Sequence, residues 1–308
     1  MKNLFRTNKQ GHNKALWNYF VKGTPRRRQW YAARLGAKQG APLDARQRLA
    51  KELAASNDSH EIPHRDGFAV LPPGTFPEVD DIVGTAREII AARESEITPG
   101  NKDFLQQGYL DAAHLSDDSP FLRFALRDDV IAAIARYLGV VPVLAKIDVW
   151  KSDNAPSQHH ASQLYHCDWD DTTQLKIFIY ASDVDTASGP LTLMEAEASD
   201  KLRASIGYTY GRKGYRVSDE VADRVVGREP QHEVTGAAGT AVLADTSRCF
   251  HYGSRVQQGG QPRLVGFFQF VTPTSFLFPP EGYKQTAPYR GLARDDHSEL
   301  VRMVLGAV

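Results

Sequence analysis

Gln163-Leu164-Tyr165-His166-Cys167-Asp168-Trp169 is the stretch on which the architecture of this chain turns. On an extended backbone, side chains two apart project to the same side. His166 and Asp168 then present an imidazole and a carboxylate together. Further on stands Cys249-Phe250-His251-Tyr252-Gly253-Ser254, and then Arg263 at the head of the apolar run Leu264-Val265-Gly266-Phe267-Phe268-Gln269-Phe270. Two imidazoles and one carboxylate that leave half of a coordination sphere open are the donor set of non-haem Fe(II) oxygenases. A guanidinium near the second histidine offers a planar fork for a carboxylate. The expectation is that His166, Asp168 and His251 hold Fe(II), and that Arg263 binds 2-oxoglutarate, with O2 as the other co-substrate.

Each of these residues has rivals. His64-Arg65-Asp66 and His297-Ser298-Glu299 repeat the spacing, but the first lies in a polar turn and the second in an expected C-terminal helix, where positions two apart do not share a face. Asp170 and Asp171 compete with Asp168, and His232 competes with His251. A charge at the start of an inward-facing apolar strand requires a partner; for Arg263 this is either the co-substrate or an acid of the domain. Ser254 offers a hydroxyl to the same carboxylate. In Leu175-Lys176-Ile177-Phe178-Ile179-Tyr180, alternation puts Lys176, Phe178 and Tyr180 on one face. If that face looks inward, Lys176 pairs with the co-substrate and Phe178 walls it; if outward, Lys176 is an ordinary surface lysine.

Around this core the composition is that of a globular protein: 308 residues, 42% hydrophobic and 24% charged, enough for one large catalytic domain with additions. No apolar run approaches the length of a membrane span. Met1-Lys2-Asn3-Leu4-Phe5-Arg6 lacks the apolar core of a secretory signal. Cys167 and Cys249 cannot make a disulfide framework, and both are expected as buried free thiols. A cytoplasmic setting follows as the expectation. The net charge of zero conceals an asymmetry: residues 1–51 carry thirteen Lys or Arg and a single acid, Asp44. With Trp17, Tyr19, Phe20, Trp30 and Tyr31 interleaved, this segment reads either as a basic surface for an anionic partner or as an arm packing on the acidic remainder or on a second subunit. No nucleic-acid recognition motif accompanies the charge.

Helices precede strands. Short helical pieces are expected at 12–21 and 26–35. Asp44 is a candidate cap for a helix to about Ala55, and Phe76 to Ser95 and 120–138 have helical spacing. Short strands follow at Val143–Trp150, Leu175–Tyr180, Leu191–Met194, Gly239–Leu243 and Leu264–Val271, with Gly67–Leu71 before them. The fold expected is α+β, a double-stranded β-helix or cupin-like jelly roll braced by N-terminal helices. Residues 1–60 read as a basic helical extension, 61–275 as the oxygenase domain and 276–308 as a tail with a short helix that Asp296 could cap. Residues 196–237, polar and bearing Tyr208, Tyr210, Arg212, Lys213, Tyr215 and Arg216, read as an insertion over the barrel mouth.

In order, Asp66-Gly67-Phe68-Ala69-Val70-Leu71, the His166/Asp168 block, Leu175 to Asp185 running into Gly189-Pro190-Leu191, Gly239-Thr240-Ala241-Val242-Leu243, and His251-Tyr252-Gly253-Ser254 with Arg263 resemble the phytanoyl-CoA dioxygenase family over about residues 60–275. The resemblance implies a double-stranded β-helix, His166, Asp168 and His251 as iron ligands, Arg263 on the distal carboxylate of 2-oxoglutarate, and hydroxylation with release of succinate and CO2. Glu195-Ala196-Glu197-Ala198-Ser199-Asp200 replaces the family's usual Pro-Gly-Ser-His-like segment, so the substrate-side wall differs. The substrate expected is a polar or anionic small molecule: a sugar, an amino-acid derivative or a natural-product intermediate, lipid- or carrier-linked in some cases. A homo-oligomer is compatible. A binding module without turnover, or a metal-dependent cupin enzyme that does not use 2-oxoglutarate, are the other readings.

Overall fold

The computed structural model describes residues 6–56, 60–97, 102–153, 159–211 and 215–308. Arg212 and Lys213 lie outside these residues. Among the described residues, eight strands form two antiparallel sheets. The larger has the order β1 (Phe68–Leu71), β6 (Ala241–Ala244), β3 (Gln174–Tyr180), β8 (Arg263–Val271) and β2 (Val143–Ser152). The smaller has the order β5 (Gln231–Val234), β4 (Leu191–Met194) and β7 (His251–Tyr252).

Alternation along β3 divides the larger sheet into two faces. Leu175, Ile177 and Ile179 pack outward with Ile82 and Val83 of helix α4 (Val79–Arg93), Phe121 and Phe124 of α5 (Pro120–Ala125) and Ile131 of α6 (Asp128–Leu138). Phe178 and Tyr180 point the other way, joining Leu191, Leu193 and Val234 of the smaller sheet in a core between the sheets. Lys176 shares this inner face. Helix α6 ends at Gly139, whose φ of 69° is the left-handed conformation that closes a helix most cheaply with glycine.

The basic N-terminal segment is docked on this body. Its helices are α1 (Lys14–Leu16), which continues as a wider turn through Val21, then α2 (Pro25–Gln39) and α3 (Ala41–Ser56). Trp17, Val21, Tyr31 and Leu35 bury against Phe276. Two of the segment's arginines are fully buried. Arg28 donates to the carbonyls of Val21, Trp169 and Asp171. Arg46 donates to the carbonyls of Val141, Pro142, Met303 and Val308. Part of the charge therefore ties the chain together. Asp44 does not cap α3: the helix begins three residues earlier, at Ala41, directly after Gly40 ends α2.

Of the polar stretch 196–237, the described helices pack behind the smaller sheet. Helices α7 (Ala196–Ile206) and α8 (Asp219–Val226) place Leu202 and Ala222 with Met194, Phe250 and Tyr252, on the outer face of the smaller sheet. Its end, β5, pairs with β4 from Leu191↔Val234 to Met194↔Gln231. At the C-terminus, α9 (Glu299–Val304) buries Met303 and Val304 in the outer core. Ser298, not Asp296, caps it, because the serine hydroxyl reaches the backbone amide of Val301.

Candidate metal centre

His166 and His251 face one another across a backbone bridge in which each amide donates to the other's carbonyl, at 3.1 and 3.0 Å. His166 is not in a continuous strand, as the alternation rule assumed, but the bridge gives it the same extended placement. The two rings lie 4.4 Å apart between centroids. Asp168, whose amide donates to Thr246 O at 2.8 Å, brings Oδ1 to 3.8 Å from His166 Nε2 and Oδ2 to 3.6 Å from His251 Nε2. One donor atom from each residue fits within a span of 4.8 Å.

The tautomers suit a metal. His166 Nδ1 donates to Leu164 O at 2.9 Å and His251 Nδ1 to Cys249 O at 3.1 Å, each a carbonyl two residues earlier. With the proton held on Nδ1, the Nε2 lone pairs turn toward Asp168. Burial, aided by the neighbouring His251, pushes the His166 pKa down to about 3, and burial lowers that of His251 as well. Both imidazoles are therefore neutral donors. Burial favours a protonated Asp168, but Lys176 and then the two imidazoles outweigh it and hold the carboxyl well below its usual range. Two buried neutral imidazoles and an ionised carboxylate converging on one point fit a divalent transition metal.

All seven sequence candidates line a single cavity of about 80 Å³: His166, Asp168, Lys176, Phe178, His251, Ser254 and Arg263. Lys176 faces inward, but its ammonium is already engaged. Nζ lies 2.6 Å from Asp168 Oδ2 and 3.9 Å from Asp170 Oδ2, so it braces the Asp168 carboxylate. The rivals stand elsewhere. Asp170 accepts from Gln269, and Asp171 is buried accepting from Thr272. His232 pairs with Glu195 on the smaller sheet's edge strand.

Arg263 is buried in the wall of the same cavity. Nη2 donates to Ser254 Oγ at 3.0 Å, while Nε has no hydrogen-bond partner. Burial lowers its pKa, and Tyr180 acts against that. A buried guanidinium with an orphaned donor is costly unless an acceptor arrives, and a carboxylate matches its fork. The approach depends on Gly253: a Cβ there would lie 3.1 Å from Arg263 Nη2. Ser254 adopts the left-handed φ of 62°, uncommon for a serine, and is pinned by Ser152 Oγ at 2.8 Å and by Gln163 Nε2 on its carbonyl at 2.7 Å.

Sequence reasoning missed Lys102, Trp150 and Ser162 of the cavity wall, and Ser152 behind Ser254. Trp150 and Ser152 were recoverable by alternation along β2; Lys102 lies in an irregular segment and Ser162 in a single 3-10 turn, and neither left a periodic signal. The two cysteines are buried free thiols, with Cys167 turned away from the cavity onto Arg203 and its pKa raised to about 12 by burial.

No family model matches the chain, and no curated protein matches it. Solved structures with a similar course include the non-haem alpha-ketoglutarate-dependent epimerase SnoN from nogalamycin biosynthesis (20% identity, 75% of this chain and 86% of that chain, TM-score 0.49). EctD from S. alaskensis with 2-oxoglutarate and 5-hydroxyectoine is similar at 18% identity (82% and 86% of the chains, TM-score 0.48). The non-haem alpha-ketoglutarate-dependent carbocyclase SnoK is similar at 14% identity (70% and 83%, TM-score 0.44). At these identities the functional reading has to rest on this chain's own side chains.

Proposed function

We propose that the chain is an Fe(II)/2-oxoglutarate-dependent dioxygenase built on a double-stranded β-helix spanning about residues 61–275, and that it hydroxylates an unactivated C–H of a polar or anionic small molecule. The kinship with phytanoyl-CoA dioxygenases noted above is part of this proposal. The observation that carries it is the pairing, in one cavity, of a His166/Asp168/His251 donor set with a buried Arg263 whose Nε lacks an acceptor.

In this reading His166 and His251 ligate through Nε2 and Asp168 through Oδ1, the oxygen that Lys176 leaves free. Arg263 and Ser254 hold the far carboxylate of 2-oxoglutarate. Bound iron with 2-oxoglutarate and O2 supplies the C–H oxidation, consuming the co-substrate to succinate and CO2. The protein's own work is orientation and exclusion of water. The Leu164 and Cys249 carbonyls fix the imidazole rings, and Phe178, Trp150 and Leu191 wall the cavity with apolar surface.

The remaining basic charge of the N-terminal segment suits an anionic surface. Arg26, Trp30 and Arg34 stand exposed at four-residue spacing on α2, one helical face. The buried free thiols suit a reducing, cytoplasmic setting. Among the described residues no helix is long and apolar enough to cross a membrane.

The test is anaerobic titration of Fe(II) and then 2-oxoglutarate, followed by visible absorption, and then succinate release in air with a panel of sugars, amino-acid derivatives and acyl compounds. Binding of Fe(II) without any 2-oxoglutarate-dependent change would favour a metal enzyme of another class. Absence of metal binding would leave a binding module.

A further inference from the structure

Among the described residues, Lys102 is the one cation of the cavity wall that the proposed iron and co-substrate chemistry leaves without a role. It lines the same space as His166, Asp168, Lys176, His251 and Arg263. Lys176 meets Asp168 and Asp170, and Arg263 meets Ser254. The half-buried ammonium of Lys102 has no ion pair and no side-chain hydrogen bond among the described residues. Burial lowers its pKa; Asp168 works against that, while Lys176, Arg216 and Lys146 add to it. It is thus an amine in a partly dry site whose neighbours are mostly cations.

The charges of the wall do not balance without a further anion. Three cations, Lys102, Lys176 and Arg263, stand against one ionised carboxylate, Asp168. A ferrous ion and a dicarboxylate co-substrate bring equal and opposite charge. Asp170, 3.9 Å from Lys176, offsets one of the two positive charges that remain. One is left over, and the lysine without a partner is Lys102. A cation held half out of water is stabilised when an anion joins it.

We infer that the substrate is an organic anion whose carboxylate or phosphate seats on Lys102 while its carbon skeleton lies against Leu105, Trp150 and Leu191. This narrows the proposed function and rests on it. Lys102 acts on binding and orientation, so its loss weakens the substrate's hold without disturbing metal or 2-oxoglutarate.

The test uses the full chain loaded with Co(II) and 2-oxoglutarate. Inorganic phosphate and acetate are titrated in calorimetrically, at an ionic strength kept constant with chloride. Wild type is expected to bind at least one of them saturably, Lys102→Gln about tenfold more weakly, and Lys102→Arg within about threefold of wild type. The tighter of the two anions distinguishes phosphate from carboxylate. Unchanged Co(II) affinity in Lys102→Gln shows that the fold is intact. Saturable binding of neither anion, or equal binding by Lys102→Gln, overturns the inference. So does a loss of 2-oxoglutarate affinity as large as the anion effect, which would assign Lys102 to the co-substrate. Failure of wild type to take up Co(II) is a separate failure, that of the metal centre; the same two titrations on the metal-free protein then decide the lysine's role.

Discussion

Lys176 Nζ lies 2.6 Å from Asp168 Oδ2, while the other carboxylate oxygen, Oδ1, sits on the side of His166 Nε2 at 3.8 Å. One oxygen is held by the chain and the other is free for a metal. Lys176→Met leaves an ionised, buried carboxylate without its cation. The metal-free protein should lose about 3 kcal/mol in urea unfolding, and saturating Co(II) should recover part of that loss. An equal loss with and without metal would show that Lys176 does not brace the ligand.

His166→Ala and His251→Ala each remove an imidazole whose ring is already fixed by a backbone carbonyl. Since loss of a supporting contact alone weakens metal binding by about 10–100-fold, loss of a ligand should weaken it by more than about 100-fold. Co(II) titration measures this. Far-UV circular dichroism should stay at the wild-type signal, because the His166–His251 bridge is made by backbone.

Arg263→Met makes an opposed pair of predictions. Without 2-oxoglutarate it removes a buried charge that lacks a full set of partners, so the metal-free protein should be unchanged or more stable, by about 1–4 kcal/mol. With 2-oxoglutarate present, the stabilisation that wild type gains from the ligand should vanish. Thermal shifts with and without the co-substrate read both. A variant that is less stable in its absence would instead mark Arg263 as a structural residue.

Arg28 connects the N-terminal arm to the loop that follows Asp168. It donates to the carbonyls of Trp169 and Asp171, just after Asp168, and stacks on Tyr210 at 3.8 Å. Arg28→Ala should lower Co(II) affinity by about 10–100-fold even at temperatures where the protein stays folded. Arg28→Lys should not rescue it, since an ammonium cannot reproduce the fork. Wild-type affinity in Arg28→Ala would confine the arm to a packing role.

His12 gives the arm a pH dependence. The ring is buried between Tyr31 Oη at 3.0 Å and Phe278 O at 2.6 Å. Burial lowers its pKa below the ordinary 6.5, against the hydrogen bond to Phe278. The folded state then binds this proton less readily than the unfolded one. Its contribution is intact above about pH 6.5 and lost as pH falls below that value. Urea midpoints should drop between pH 7.5 and 5.5, on the order of the unperturbed histidine range, and His12→Gln should make that drop smaller, the remainder belonging to His166 and His251. Fluorescence of Trp17, whose ring centroid is 5.0 Å from that of His12, reports the same event locally.

How much of this was legible depended on where burial imposes a pattern. Leu191–Met194 and Leu264–Val271 are visible as strands because they are buried almost throughout. Gln231-His232-Glu233-Val234 was not, because an edge strand buried on one side needs no apolar sequence. The polar residues of α7 and α8 suggested an exposed lid, yet Leu202 and Ala222 suffice to anchor both helices behind the smaller sheet. The site was more legible than its surroundings, since His166 and Asp168 are two apart and Arg263 begins an apolar run. Lys176 was found by alternation, but its partner could not be, because the loop after Asp168 folds back in a way no periodicity records. Arg28 and Arg46 are two of the thirteen bases of residues 1–51; nothing in a run of bases reveals which of them meets carbonyl oxygens.

The mutual backbone bridge between His166 and His251 also bears on how such a chain can diversify. The gap between the two imidazoles is set by main-chain geometry at that rung, and the excursion through α7, α8 and β5 supports it at a few points: Tyr208 accepts from the amide of Cys167, Ser199 from that of Phe250, and Val217 bridges Tyr165. Away from those points the excursion can change in length or charge while the donor atoms stay in register. Reshaping what can approach the cavity therefore does not require rebuilding the donor set itself.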